Sequence, residues 1–197
     1  MASDTVVLAF DTSGPFCAAA VLIDGEFTAY RADDMARGQA EAIMDIIVDV
    51  LDTSGVTLLD VSRIGVGTGP GNFTGIRISV SAARGFALSL GIPAIGVNGF
   101  DATLYGQRND AVACLPAIRD QIYFSGPSLN PQIGDRDLAA QLGRPLIDRP
   151  DPTQLVKNIA RIAENADRFD RPVPMYVKPA DAAPARDLPP KVLDDAS

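Results

Sequence analysis

Short apolar runs separated by turn residues fill the first hundred positions, and their lengths alternate between those typical of strands and those typical of helices. Two of the apolar runs are joined by Asp24-Gly25, a dipeptide that favours a tight hairpin turn. Gly55 and Gly91 each follow a longer segment with helical periodicity, as glycines do where helices end. This order of elements predicts an α/β protein with a mixed sheet and flanking helices. The predicted strands span 5–10, 16–23, 26–31, 63–68 and 92–97, and the predicted helices span 39–53, 74–90 and 98–107.

The pattern becomes weaker after residue 111. We therefore place a boundary near residues 108–110, which divides the chain into a first lobe over 1–108 and a second over 109–197. Asp151-Pro152-Thr153-Gln154 resembles a capping box with proline in the first helical position, and it predicts a further helix with one apolar face. The remaining predicted elements are strands over 111–118 and 121–124 and a short helix over 135–142. Six prolines occur among the 27 residues from Arg171 onward, so we expect an extended tail there.

The helix predicted over 39–53 is apolar around most of its circumference. An ordinary surface helix needs an apolar stripe of only ~100°. Deep burial would explain the pattern, and so would a core on one flank with a partner protein on the other. The helix over 74–90 has two arginines on one side and many small residues, which permit close approach of another helix. We predict a partner interface that comprises Ala40, Met44 and Val48 on the first helix and Arg77, Ser81 and Arg84 on the second.

The composition narrows the function classes. The 197 residues are 47% hydrophobic and 21% charged, which is typical of a packed core. No apolar run approaches ~18 residues and the first residues lack a signal-peptide pattern, so we expect a cytoplasmic protein without a membrane span. The absence of histidine removes the commonest general base and zinc ligand, and Cys17 and Cys114 have no metal or redox spacing. The net charge of −8 predicts no tight direct binding to nucleic acid.

Two turn segments have the composition of phosphate-binding loops. Asp11, Thr12 and Ser13 precede a glycine between two predicted strands, where N–H groups and hydroxyls could cradle a phosphate or form a plain polar turn. The glycine-rich segment 65–75 links a strand to a helix N-terminus, where anions bind well. It lacks the Lys-Ser/Thr pair of a Walker loop, and Pro70 stands at the third glycine of a dinucleotide fingerprint. A tight structural turn explains this segment equally, and no catalytic set of side chains is apparent.

Four segments resemble the TsaB (also called YeaZ) family: AFDTSGPFCAAAVL, GPGNFTGIRISVSAARGFAL, PAIGVNGFDATL and PMYVKPADA. The resemblance covers positions 5–104 and 171–182. It implies an actin-like ATPase (ribonuclease H-like) fold with a complete first lobe and a reduced second lobe. It also implies a non-catalytic paralogue of the catalytic subunit TsaD. The HxxxH metal site of TsaD would correspond to Gly99 and Thr103, so the resemblance implies no metal site here.

The resemblance further implies a partner subunit of the complex that adds threonylcarbamoyl to adenosine 37 of tRNA. Such a subunit would bind and activate a TsaD-type protein, meet a TsaE-type ATPase within the complex, and could form a homodimer, with no cofactor of its own. Asp11–Ser13 would be a relic phosphate loop. The sequence departs from the family at Gly38–Ala42, where His-Ser/Thr-x-x-Leu is common, and at Leu115 and Pro116, where an acidic residue is common. The alternatives are an actin-like kinase, a glycoprotease-type peptidase and a degenerate nucleotide-binding regulator.

Overall fold

The computed structural model describes residues 5–167 and 171–177, which form two β-sheets with flanking helices. The strands are β1 Val6–Asp11, β2 Phe16–Ile23, β3 Glu26–Asp34, β4 Arg63–Gly67, β5 Ala94–Val97, β6 Val112–Pro116, β7 Ile122–Gly126, β8 Leu129–Gly134 and β9 Leu146–Asp148. The helices are α1 Gln39–Thr53, α2 Phe73–Leu90, α3 Gly99–Leu104, α4 Arg136–Ala140 and α5 Pro152–Glu164, with one 3-10 turn at Leu58–Asp60.

The first sheet contains five strands in the order β3-β2-β1-β4-β5. β1, β2 and β3 pair antiparallel, whereas β4 runs parallel to both β1 and β5. Asp24 and Gly25 have φ angles of 47° and 82°, the positive values that a two-residue hairpin turn requires at both positions. The predicted hairpin and the predicted mixed sheet are therefore confirmed.

Both faces of this sheet are covered by helices, because the side chains of β1 alternate between two cores. Leu8 and Phe10 belong to a cluster that includes buried residues of α1 and α2. Val7 and Ala9 belong to a second cluster, which α5 covers. The first lobe is thus a three-layer α/β sandwich whose central strand is fully buried.

The second sheet repeats the order of the first without a fifth strand in the described part of the chain. Its order is β8-β7-β6-β9, with β6 antiparallel to β7, β7 antiparallel to β8, and β6 parallel to β9. This is the pairing of β3-β2-β1-β4, so one lobe is complete and the other reduced, as in the predicted actin-like fold. β8 and β9 were not predicted. β8 contains Pro131 and three of its six residues are exposed, and β9 has only three residues.

Helix α5 follows the second sheet in the chain but belongs to the first lobe. The gap between Val97 and Val112 separates the two sheets and contains the proposed boundary near 108–110. The start predicted at Asp151 does begin α5, and the Asp151 carboxylate accepts a hydrogen bond from the Gln154 N–H at 3.0 Å. The reciprocal half of a capping box is not formed among the described residues, because the Gln154 side chain donates to the Asn158 side-chain oxygen at 2.8 Å. The helix then packs on the first sheet. The division at residue 108 stays a prediction, and a first lobe that ends there would exclude α5.

Segment 171–177 lies against the first lobe without forming a helix or strand. The Met175 N–H donates to the Thr68 carbonyl at 2.8 Å. The rest of the predicted extended tail lies outside the described residues. Among the helices of the described part, none combines the length and apolar character needed to cross a membrane.

Candidate functional site

One edge of α1 is apolar and faces solvent. Ala40, Met44 and Val48 are all exposed, with 45% of Met44 and 50% of Val48 accessible. Ile43 and Ile46 on the same helix are 2% and 1% exposed and belong to the core. Residues four apart stack along one side of a helix, so the three exposed residues form a continuous stripe. The helix thus has a core flank and an exposed apolar flank, and a partner protein on the exposed flank stays a prediction.

Helix α2 extends this surface. Ser81 and Gly85 are exposed, and Leu88 is 88% exposed near the end of the helix. Helices α1 and α2 contact each other on the same face of the first sheet, where Ala42 and Ala82 both pack against the shared core. We call the exposed surface of the two helices the helical face; it comprises Ala40, Met44, Val48, Ser81, Gly85 and Leu88.

The arginines predicted for the interface have partners within the chain. Arg84 donates from Nε to the Pro172 carbonyl at 2.8 Å, and its second nitrogen donates to the same oxygen. Arg77 stacks over the Phe73 ring at 3.9 Å and donates to the Tyr176 hydroxyl at 3.2 Å. Both side chains therefore hold segment 171–177 against α2. The participation of Arg77 and Arg84 in a partner interface stays a prediction. Such an interface would border segment 171–177.

The segment Asp11–Ser13 is buried, and its donors are used internally. The Ser13 N–H and hydroxyl donate to the two Asp11 carboxylate oxygens at 2.8 and 2.9 Å. The Thr12 hydroxyl donates to the Gly75 carbonyl at 2.7 Å. Donors that already have partners inside the protein cannot also hold a phosphate, so this geometry favours a structural turn. The relic phosphate loop stays a prediction with little support.

The glycine-rich segment packs directly on this turn. The Asn72 N–H donates to the Ser13 carbonyl at 2.7 Å, and the Asn72 side chain caps α2 by accepting from the Gly75 N–H at 2.9 Å. A Cβ at Gly71 or Gly75 would collide with the carbonyl oxygen of Ser13 or Thr12. The glycines thus permit close contact between two backbones, and this accounts for the motif without any ligand.

Burial raises the pKa of Asp11, although the hydrogen bonds from Ser13 and the charge of Arg149 oppose that shift.

The substitution Asp11→Asn tests whether the pKa of this carboxyl is raised in the folded protein. The amide can accept from the Ser13 N–H and donate to its hydroxyl, so the turn is kept. Because the folded-state pKa exceeds the unfolded one, ionised Asp11 opposes folding increasingly as pH rises through the folded pKa. In measurements from about pH 4 to pH 8, we expect Asp11→Asn to gain stability relative to the parent as the pH rises above the unfolded pKa of about 3.9, by ~1.4 kcal/mol per unit of pKa difference.

Urea denaturation of both proteins across that pH range measures the difference. Taking the difference cancels the other carboxylates, which both proteins share. A constant difference would mean that the Asp11 carboxyl titrates as an exposed one does.

The comparison with known proteins decides the family. The family model for "TsaD: tRNA N6-adenosine threonylcarbamoyltransferase" matches residues 33–177, which is more than half of the chain. The chain is 36% identical over 114 residues to the Escherichia coli K12 "tRNA threonylcarbamoyladenosine biosynthesis protein TsaB", covering 57% of this chain and 49% of that protein. It is 33% identical over 125 residues to the Haemophilus influenzae protein of the same name, covering 60% and 52%. The chain belongs to the TsaD family, on its TsaB (YeaZ) branch.

This TsaB-family chain thus spans about half the length of these two relatives. The fold agrees with a solved structure from Pseudomonas aeruginosa titled "YeaZ", with a TM-score of 0.67 at 22% identity over 87% of this chain and 99% of that one. A second Pseudomonas aeruginosa structure, described as similar to peptidase YeaZ, gives a TM-score of 0.70 at 21% identity over 88% and 100%. At these identities the similarity concerns the fold alone, and the two mixed sheets with flanking helices are consistent with the predicted actin-like fold.

The two positions that the TsaB resemblance aligned with a metal site lie on α3. Gly99 is the first residue of the helix, and Thr103 is buried with a side-chain oxygen that has no hydrogen-bond partner. Within residues 5–167 and 171–177, no three His, Cys, Asp or Glu side chains cluster as metal ligands would. Neither glycine nor an isolated threonine hydroxyl provides the imidazole ligand that the TsaD site uses.

Sequence reasoning missed one charged residue of the cleft between the sheets. Arg149 directly follows β9, and its backbone N–H donates to the Cys114 carbonyl at 2.9 Å. Its guanidinium lies 5.2 Å from the centre of the Phe16 ring, and burial lowers its pKa while Asp11 raises it. The available signal was an arginine after Leu146-Ile147-Asp148, a strand too short to be recognised from the sequence.

Proposed function

We propose that this chain is a non-catalytic subunit in the biosynthesis of threonylcarbamoyladenosine at position 37 of tRNA, and that it binds and activates a TsaD-type catalytic subunit through the helical face. The single observation that carries the proposal is the exposed apolar stripe of α1 in a chain of the TsaB branch. The names of the relatives in Escherichia coli and Haemophilus influenzae support the pathway.

The helical face has the properties of a protein-binding surface. Met44, Val48 and Leu88 expose large apolar side chains on two adjacent helices, and such patches on soluble proteins mark interaction sites. Methionine adapts its shape to a partner. Ser81 and Gly85 are small, so a partner helix could approach the α2 backbone closely. A second copy of the chain could use the same face, and a TsaE-type ATPase would join the complex elsewhere.

The lack of a catalytic set supports the accessory role over that of a peptidase or a kinase. The chain has no histidine to act as a general base. The buried Asp11 carboxylate is occupied by two hydrogen bonds from Ser13, and both cysteines are buried thiols whose pKa is raised by burial. A raised thiol pKa reduces the thiolate fraction on which cysteine chemistry depends.

Co-expression with the TsaD-type subunit of the same organism tests the proposal. We expect the two chains to elute together from size-exclusion chromatography, and we expect tRNA modification only when both are present. Elution of separate chains, or full activity of the TsaD-type subunit alone, would contradict it. Hydrolysis of a protein substrate by the isolated chain would favour the peptidase alternative.

The isolated chain should bind tRNA weakly. Its net charge of −8 offers few phosphate contacts, and affinity for nucleic acid depends largely on those contacts. We expect a Kd weaker than ~1 µM in a gel shift at physiological salt, with a basic tRNA-binding protein as positive control. Tighter binding would require a local cluster of arginines that outweighs the overall charge.

A further inference from the structure

The cleft between the two sheets is built from the ends of strands. It encloses about 380 Å³, within the range of small-molecule sites. Ser13 and Gly71 follow β1 and β4, Pro116 ends β6, and Arg149 follows β9. β4 runs parallel to β1, and β9 runs parallel to β6. Ligands of open α/β sheets bind outside the carboxyl ends of such strands.

Arg149 is the charged side chain that lines this cleft. Among the described residues, its guanidinium has no hydrogen-bond or ion-pair partner. It lies beside the Phe16 ring, and a Cβ added at Gly14 would lie 3.0 Å from it. A guanidinium that is partly withdrawn from water retains its charge and five donors. Its planar fork matches a carboxylate or a phosphate. The nearby Arg136 differs from Arg149, because its guanidinium forms an ion pair with Asp148 at 2.6 Å.

Charge and shape distinguish between those two anions. Arg149 is the one charged residue among those that line the cleft in the described part of the chain, so the site provides a single cation. Such a field suits a single negative charge and disfavours a polyphosphate. The remaining walls are largely apolar and are formed by Pro15, Pro116, Ala117, Ile118 and Tyr123. These walls suit a compact apolar body attached to the anion.

We propose that the cleft binds a small monocarboxylic acid, with its carboxylate held by the Arg149 guanidinium and its apolar part between Pro15, Ile118 and Tyr123. The Asn72 side chain at the rim caps α2, so the positive end of the α2 dipole also faces this region. The site is separate from the helical face, and it does not depend on the proposed role in tRNA modification.

Titration of the ¹⁵N-labelled full chain with sodium benzoate tests the proposal by NMR. We expect shifts at Ser13, Gly14 and the Arg149 Nε resonance, with a Kd on the order of 1 mM. Benzyl alcohol has nearly the same apolar body without the charge and should bind at least ~10-fold more weakly. MgATP should also bind at least ~10-fold more weakly, because a single cation faces several negative charges.

Arg149→Gln should reduce benzoate affinity by ~10-fold or more, and Arg149→Lys should restore part of it, since lysine keeps the charge but not the fork. Arg119→Gln is the matched control, because Arg119 is exposed on the neighbouring loop and does not line the cleft. Thermal melting verifies that each variant is folded. The proposal is overturned if benzoate causes no shifts at about twenty times the expected Kd. It is also overturned if Arg149→Gln binds benzoate as the parent does, or if MgATP binds more tightly than benzoate.

Discussion

Met44→Glu weakens association with the TsaD-type subunit, or with a second copy of the chain, by ~100-fold or more while leaving the melting temperature near that of the parent. Met44 is 45% exposed, so in the monomer the new carboxylate remains in water. In the complex it would lose that water without gaining a cation, at a cost of several kcal/mol. Isothermal titration with the partner subunit and thermal melting of the isolated variant measure the two effects.

Two further variants serve as controls for Met44→Glu. Leu138→Glu on α4 is the matched control, because Leu138 is 43% exposed but lies in the second lobe; it should associate normally. Ile43→Glu, one residue from Met44 but 2% exposed, should lower the melting temperature strongly. If Met44→Glu melts normally and still associates with parental affinity, α1 is not part of the interface.

Gly75→Ala should reduce the free energy of unfolding by ~3 kcal/mol or more. The added Cβ would overlap the Thr12 carbonyl oxygen, which belongs to the backbone and cannot rotate away. Relief of the overlap requires α2 to move away from the Asp11–Ser13 turn. That movement would break the hydrogen bond between the Thr12 hydroxyl and the Gly75 carbonyl. Urea denaturation measures the loss.

The same helix contains the control. Gly75 lies in the first turn of α2 and Gly85 in its interior, where a Cβ meets nothing within 4 Å. Gly85→Ala should therefore stabilise the fold by ~0.5–1 kcal/mol through helix propensity alone. Equal effects at the two positions would mean that α2 is not in close contact with the turn and that the glycine motif has another purpose.

Local chemistry explains which parts of the fold were predictable. Asp24-Gly25 specifies its turn through the backbone angles of two adjacent residues. Helix α1 could be predicted because its core residues recur with helical spacing. β8 gave no signal, since an edge strand tolerates Pro131 and three of its six residues are exposed. Strand β9 owes its conformation to pairing with β6, which is far away in the sequence.

The residues of the candidate sites were likewise predictable from the sequence only in part. Periodicity placed Met44 and Val48 at the edge of the apolar arc, and both are exposed there. It could not reveal that Arg77 and Arg84 contact Tyr176 and Pro172, which are 99 and 88 residues away. The arginine of the cleft, Arg149, was missed for a related reason: its neighbours come from four strand ends that are brought together only by the fold.

The return of α5 to the first sheet has a consequence for folding during synthesis. The first five strands are complete when the ribosome has added Val97, yet one face of their sheet is covered by Leu155, Val156 and Ile159. Until those residues emerge, the nascent chain exposes a flat apolar surface of the kind that recruits chaperones or aggregates. The second lobe is made within this interval, so the first lobe can complete its core only after the second has been synthesised, and a fragment that ends at residue 108 would lack a layer of that core.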